Sequence, residues 1–386
     1  MNWFRHVSRL PAGSALLQQP FRLFFCGAAL FASLGISLWA TFLHLGLLPA
    51  SSLPPLLWHG HEMLFGFAGA LIAGFLLTAV ANWTGQATTT PLTLMLLVAI
   101  WFLARLAFLM PGTFPFSVAA TLDCAFFPLL AVTIARPIVR ARNYRNLFVI
   151  GLVAAFALAD LLFFLGDTGV INLAPTRTLF WMIDLLTVLM LAIGGRVIPF
   201  FTGRRLPNVQ VYRNAWLDRS VNGGAALLIL LDLVTPGSML LGAMSLAVAA
   251  LALSRLIGWR PWRTVPEPML WILHIGYLWL IAGLTVRGIA LLGGPLREIT
   301  ALHAITVGGL GSLAIGMMLR VSQGHTGRVI IAGPVMTAAF LLVSVATLLR
   351  LTDLSGMLPL AGTLWALAFA MLFFKLLPIQ FGPPRA

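Results

Sequence analysis

The sequence predicts an all-α membrane protein, a polytopic bundle of about 12 transmembrane helices. Its composition is 60% hydrophobic and only 9% charged, and its mean hydropathy is +1.00. A soluble domain is about 45–50% apolar and about 25% charged, so a soluble globular protein is excluded. The apolar residues form runs of about 20, which suit membrane-spanning helices and not the short alternating segments of a membrane barrel. Disorder is excluded too, because it requires low hydrophobicity.

Each predicted span is an apolar run bounded by turn-forming residues such as Pro236-Gly237 or Gly293 to Pro295. We expect one integral-membrane domain over 1–386, with a cytoplasmic arm at 1–20 and a helical bundle at 21–381. The twelve predicted spans are, in chain order, 21–43, 57–81, 91–110, 115–136, 145–165, 176–202, 213–235, 237–257, 266–292, 296–321, 329–351 and 356–381.

The arginines and lysines predict the orientation of the bundle. Eighteen of the 24 basic residues flank one set of span ends, and three flank the other set. Positive residues accumulate in cytoplasmic loops, so both termini are expected in the cytoplasm. The larger set is Arg5, Arg9, Arg22, Arg136, Arg140, Arg142, Arg145, Arg204, Arg205, Arg213, Arg219, Arg255, Arg260, Arg263, Arg320, Arg328, Lys375 and Arg385; the smaller set is Arg177, Arg297 and Arg350.

The formal charge of +14 does not indicate a nucleic-acid partner. The basic residues lie singly or in short clusters between apolar runs, where topology signals belong. Cys26 and Cys124 both lie inside apolar runs, so they provide neither a disulfide framework nor a C-x-x-C-H haem attachment.

Ionisable residues inside the spans are candidate functional residues, because burying them in a membrane is costly. On the predicted topology, five carboxylates and two arginines share the outer half of the bundle. They could be capping and ion-pair residues near an interface, but their clustering on one side favours a polar cavity open to the outside. Arg287 and Arg105 are expected to contact a buried anion. The carboxylates are Glu62, Asp123, Asp160, Asp184 and Asp232; a polar relay is predicted to include Glu62, Tyr277, Asp123 and Asp184.

Several of the seven histidines predict a metal site. A neutral imidazole binds metal well, although an interhelical hydrogen bond is the alternative for any one of them. His303 matches the predicted depth of His59 and His61, which lie about 200° apart on a regular helix, so that only one faces a given site. His274 lies roughly 20 Å from His303 in depth, so the two do not share one metal. With Tyr277 it suits a second metal site, a proton path or ordinary packing. The candidate metal ligands are His61, His303, His274 and His325.

The chain resembles the NnrS family along residues 20 to about 380, and the motifs in spans 2 and 10 are the specific ones. The matching segments are Pro20 to Phe25, Trp58 to Gly66, Gly74 to Val80, Asn82 to Gly85, Gly195 to Thr202, His274 to Tyr277, His303 to Gly309, Met318 to Ser322 and Gly324 to Arg328.

This resemblance implies a multi-pass protein of the bacterial inner membrane that contains haem, expected to be b-type, and copper. It further implies a role in nitric oxide metabolism or nitrosative-stress resistance, with an unidentified electron donor and, if the protein is an enzyme, oxidoreductase activity. His303 and either His59 or His61, preferably His61, are then expected as axial haem ligands, with Arg287 and Arg105 as propionate partners. A proton-coupled secondary transporter and a non-catalytic haem scaffold or sensor are the alternatives.

A more distant likeness links the chain to the catalytic subunits of haem–copper oxidases and nitric oxide reductases, which also have twelve spans. Spans 6 and 7 carry no histidine. The three-histidine copper site of that superfamily therefore has no counterpart here.

Overall fold

The computed structural model describes residues 16–17, 19–47, 51–352 and 354–383. The chain is 82% helix, and no strand occurs in these ranges. Twelve long helices correspond one to one with the twelve predicted spans. Their bounds are α1 Pro20–Leu45, α2 Pro55–Thr84, α3 Pro91–Leu109, α4 Phe116–Arg140, α5 Leu147–Asp167, α6 Pro175–Arg205, α7 Ala215–Val234, α8 Met239–Gly258, α9 Pro268–Leu291, α10 Glu298–Gly324, α11 Gly333–Leu351 and α12 Leu358–Gln380.

Eleven helices in the described part of the chain are long and apolar enough to cross a membrane, so the chain is a multi-pass membrane protein. The remaining long helix, α7, carries Asp218, Arg219 and Asp232 in its 20 residues. Two of these charges are paired, because Asp218 contacts Arg255 and Asp232 contacts Arg287. Ion pairing lowers the cost of placing such charges within an apolar bundle.

The helix ends follow the local sequence. Proline begins α1, α2 and α3, where its missing N–H costs no helical hydrogen bond. Gly46 and Gly85 end α1 and α2 in the left-handed conformation, with φ of 69° and 67°. A glycine adopts this conformation without steric cost and so terminates a helix readily.

Two helices contain a π-helical segment, and each segment directly follows a candidate histidine. In α2 the segment is Glu62–Phe67, next to His61, and in α10 it is Ala304–Leu310, next to His303. Such segments are rare and are frequent at functional sites. They turn the following residues relative to a regular α-helix and thereby re-aim the side chains on either side.

The helices divide into two compact units. Unit 1 comprises Met1–Leu179, Met318–Ile330 and Phe369–Ala386, and unit 2 comprises Phe180–Met317 and Ile331–Ala368. Within unit 1, α2 packs against α1 and α4, and α4 packs against α3 and α5. Within unit 2, α8 packs between α7 and α9. Each candidate site described below lies within one unit.

Arg22 and Arg255 are among the arginines that the sequence places in loops, and both are buried. Arg22 donates hydrogen bonds to the carbonyl oxygens of Gln380 and Gly382, so it caps the end of α12. Arg255 pairs with Asp218 and donates to Tyr277 Oη at 3.2 Å. Arg22 and Arg255 therefore stabilise contacts within the fold, in addition to contributing to the predicted orientation. The orientation of the termini stays a prediction, and Arg5, Arg9, His6 and Arg385 lie outside the described residues.

Candidate metal centre

A cluster of five charged or titratable side chains lies inside unit 1. His61 and Glu62 come from α2, where the π-helical segment begins, and Arg105, Asp123 and Asp160 come from α3, α4 and α5. All five are buried, and His61, Glu62 and Asp160 have no exposed surface at all. Four neighbouring helices therefore direct polar groups at one point in the apolar interior.

His61 is in contact with all three carboxylates of this cluster. Its Nδ1 lies 3.1 Å from Glu62 Oε1. Its Nε2 lies 3.2 Å from Asp160 Oδ1 and 3.1 Å from Asp123 Oδ2. Both ring nitrogens thus face carboxylate oxygens, and Nε2 faces two of them.

Arg105 joins two of the same carboxylates. Its Nη1 lies 3.2 Å from Glu62 Oε1, and its Nη2 donates to Asp123 Oδ1. Gly66, one turn beyond Glu62, makes room for this guanidinium, because a Cβ at Gly66 would lie 2.7 Å from Arg105 Nη1. The sequence of α2 therefore supplies both an anion and the space for its partner.

The cluster carries an excess of negative charge. Three carboxylates face one guanidinium, so with a neutral His61 the formal charge is −2. Glu62 Oε2 and Asp160 Oδ2 accept no hydrogen bond from the described residues, and Asp123 Oδ2 faces His61 Nε2 at 3.1 Å. Buried charge and unpaired polar atoms are both costly, so this arrangement calls for a bound cation or for protons.

Three members of the cluster are arranged as metal ligands. His61, Asp123 and Asp160 each offer one ligand atom, and these atoms lie within 4.8 Å of one another. No other group of this kind occurs among the histidine, cysteine and acidic side chains that the structure describes. One imidazole nitrogen and two carboxylate oxygens form a donor set that suits a divalent transition metal such as copper(II) or iron(II).

Phenylalanines surround the histidine of this cluster. The ring centroid of His61 lies 4.6 Å from Phe163, 4.8 Å from Phe65, 5.1 Å from Phe164 and 5.4 Å from Phe108. These rings exclude water around the polar groups and lower the local dielectric, which strengthens electrostatic interactions within the cluster.

The sequence identified four of the five residues, namely His61, Glu62, Arg105 and Asp123. Asp160 was placed among the outer carboxylates but not among the site residues. The sequence feature that could have identified Asp160 as a site residue is that it is the only charged residue in the middle of an apolar run. No pattern in the sequence indicated that α5 would bring Asp160 to His61.

His59 and His61 face different surroundings, as their predicted angular separation requires. The His59 ring stacks on Trp39 of α1, with centroids 4.3 Å apart and an interplanar angle of 7°. His325 contacts Phe21, with centroids 5.7 Å apart. Neither histidine joins the cluster around His61, and their predicted ligand roles stay predictions.

The other two candidate histidines lie in unit 2, and each forms a hydrogen bond within its own helix. His303 Nδ1 lies 2.8 Å from the carbonyl oxygen of Ile299, and His274 Nδ1 lies 3.1 Å from that of Leu270. Because a carbonyl only accepts, Nδ1 carries the proton in both rings and Nε2 carries the lone pair. This tautomer is the one in which Nε2 can bind a metal. His274 Nε2 lies 3.4 Å from Thr202 Oγ1.

Arg287 has the carboxylate partners expected for a buried arginine. It lies in unit 2, where it contacts Asp184, Asp232 and Glu298 from α6, α7 and α10. Carboxylates are one of the two kinds of buried anion expected for Arg287, and haem propionates were the other. Tyr277, expected beside His274 in a relay, accepts a hydrogen bond from Arg255 instead.

The fold and this site define a class: a polytopic helical membrane protein with a buried histidine–carboxylate cluster. A family model described as NnrS protein matches residues 15–383. The chain therefore belongs to the NnrS family, which confirms the resemblance predicted from its motifs. No curated protein matches the chain.

Proposed function

We propose that this chain is a haem- and copper-binding membrane protein of nitric oxide metabolism or nitrosative-stress resistance, and that His61, Asp123 and Asp160 hold the copper ion. The observation that carries the proposal is the convergence of these three ligand atoms within 4.8 Å. The unpaired carboxylate oxygens and the formal charge of −2 around them support a cation at this point. We choose copper as its identity because the resemblance drawn from the sequence motifs implies it.

Glu62 positions the histidine in this proposal. A carboxylate accepts hydrogen bonds, so Glu62 Oε1, 3.1 Å from His61 Nδ1, favours the tautomer with the proton on Nδ1. Nε2 then carries the lone pair and faces Asp123 and Asp160. Metal-binding histidines commonly have such a carboxylate partner, which fixes the orientation of the ring.

Arg105 reduces the negative charge of the cluster. It neutralises part of the charge of Glu62 and Asp123, which keeps the cluster bound together when no metal is present. It also restricts Asp123 to a single direction. The guanidinium and the Phe walls together keep the ligands in place and exclude water, so that little rearrangement accompanies binding.

The geometry favours a metal-ion role for His61 over an axial haem role, because both of its nitrogens face carboxylates. We assign haem to His303, whose Nδ1 is held by the carbonyl of Ile299. Gly308 and Gly309, which follow His303 in α10, pack against side chains of α9 and therefore do not offer a flat surface to a haem. A Cβ at Gly308 would lie 2.6 Å from Trp279, and one at Gly309 would lie 2.5 Å from Leu280.

Bound copper and haem iron would supply the capacity to bind nitric oxide and to exchange an electron with it. Nitric oxide is small and uncharged, so it can reach a site in the bilayer without a polar path. The arginine distribution supports a site nearer the outer face of the membrane. The bacterial inner membrane is what the resemblance to the family implies. An electron donor is required for turnover.

Separate variants test the two cofactor assignments. Protein purified from the membrane is analysed for haem by its optical spectrum, for copper by metal analysis and for nitric oxide consumption with an added electron donor. His303→Ala should lose or shift the haem spectrum, whereas His61→Gln should retain the spectrum and lose copper. A wild-type spectrum in His303→Ala, or wild-type protein without haem and copper, would contradict the proposal.

A further inference from the structure

A second charged cluster lies in unit 2, and the proposed metal chemistry makes no use of it. Arg287 of α9 contacts one carboxylate through each of its three nitrogens. Nη1 lies 2.5 Å from Asp184 Oδ1, Nη2 lies 3.0 Å from Asp232 Oδ1, and Nε lies 3.3 Å from Glu298 Oε1. The carboxylates come from α6, α7 and α10, so the guanidinium is the centre that joins four helices.

The charges of this second cluster do not balance. Three carboxylates surround one guanidinium, which gives a formal charge of −2. The side chains of Arg287 and Asp232 are 1% exposed and that of Asp184 is 6% exposed, whereas the side chain of Glu298 is 30% exposed. Water can therefore stabilise the charge of Glu298. The buried trio remains at −1, and one proton would make it neutral.

Asp184 is the residue that this proton fits. Its Oδ1 accepts from Arg287, but its Oδ2 is buried and has no hydrogen-bond partner among the described residues. An ionised carboxylate with one bare oxygen in an apolar interior is costly. A proton on Oδ2 removes that charge and leaves the bond from Oδ1 to Arg287 intact.

A metal ion fits this cluster poorly. The three carboxylates do not form a group whose ligand atoms converge within 4.8 Å, whereas His61, Asp123 and Asp160 do. A proton needs only one oxygen.

We propose that Asp184 is an exchangeable proton-binding site whose proton affinity is coupled to the charge of Glu298 through Arg287. Both carboxylates contact the same guanidinium, so a change in the charge of one alters the electrostatic environment of the other. The charged groups that face Asp184 in the described structure are Arg287, Asp232 and Glu298, from the three helices α9, α7 and α10. This inference does not depend on the metal centre, which lies in unit 1.

Infrared spectroscopy of the full-length protein in lipid tests the proposal. At neutral pH a protonated buried carboxyl group should give a C=O stretching band, and the band should shift after transfer to deuterated water. Asp184→Asn should lower the band by the contribution of one carboxyl group. Asp167→Asn, at the half-buried end of α5, is the control and should retain it. Glu298→Gln removes a negative charge near Asp184, which stabilises its ionised form, so the band should be lost at a lower pH than in the wild type.

Two results would overturn the proposal: absence of such a band from the wild type, or an unchanged band in Asp184→Asn.

Thermal unfolding of two variants tests the protonation state of Asp184 independently of the infrared band. Asn mimics a protonated Asp, so Asp184→Asn should unfold near the wild-type temperature, whereas Asp232→Asn removes the counter-charge of Arg287 and should unfold at a lower temperature. Equal losses in the two variants would show that Asp184 is ionised.

Discussion

Replacing Arg105 with Met should strongly destabilise unit 1, because it leaves three buried carboxylates without their cation. Arg105 is 3% exposed and pairs with Glu62 and Asp123, both of which are also buried. Removing one partner of a buried ion pair costs about 3–5 kcal/mol, since the remaining charge is uncompensated. At about 1.4 kcal/mol per factor of ten, the folded-to-unfolded ratio should fall by at least a hundredfold.

A second substitution separates charge from packing. Glu62→Gln removes one of the two carboxylates that Arg105 neutralises while leaving His61, Asp123 and Asp160 unchanged. In the Arg105→Met background it returns the formal charge of the cluster from −3 to −2. It should therefore recover part of the loss, with a coupling of roughly 0.5–3 kcal/mol.

Unfolding of the purified protein in mixed micelles, followed by circular dichroism, measures both effects. Arg213→Met is the control, because Arg213 is exposed and its replacement should change stability by only about 0.5 kcal/mol. The reasoning is refuted if Arg105→Met costs no more than Arg213→Met, or if Glu62→Gln is equally harmful with and without Arg105.

Two glycine substitutions probe the space around the buried guanidiniums, with thermal unfolding as the measurement. Gly66→Ala should cost about 1–3 kcal/mol, because the new Cβ would lie 2.7 Å from Arg105 Nη1. Gly151→Ala is the matched control, because a Cβ at Gly151 would have nothing within 4 Å; it should raise the free energy of unfolding by about 0.5–1 kcal/mol through helix propensity. A gain in stability at both positions would contradict the packing around Arg105. Gly195→Ala should displace Arg255, whose Nη2 would be 1.3 Å from the added Cβ, at a cost of about 3–5 kcal/mol. An unfolding temperature unchanged in Gly195→Ala would show that Arg255 is not held there.

Hydropathy predicts most of the fold because a membrane imposes one length on every span. All twelve helices were found this way, including α7, whose charged residues are paired in the structure. The contact of Arg287 with carboxylates was also predictable, since an unpaired arginine in a membrane costs at least about 2.5 kcal/mol.

The contacts of the metal centre were less predictable, because they depend on which helices are neighbours. Asp160 reaches His61 across 99 residues of sequence. Helical periodicity indicates which residues share a face of one helix, but not which face of another helix lies opposite. The π-helical segment after His61 also has no clear pattern in the sequence, and it alters the direction of Glu62 relative to a regular helix.

Copper binding at His61, Asp123 and Asp160 is the central claim. Its most direct measurement is the electron paramagnetic resonance spectrum and copper content of full-length protein loaded with copper(II), for the wild type, His61→Gln, Asp160→Asn and the control Asp167→Asn. The account predicts one tightly bound copper per chain with coupling to one histidine nitrogen, lost in His61→Gln, weakened in Asp160→Asn and retained in Asp167→Asn. Tightly bound copper with an identical spectrum in all four proteins would contradict it.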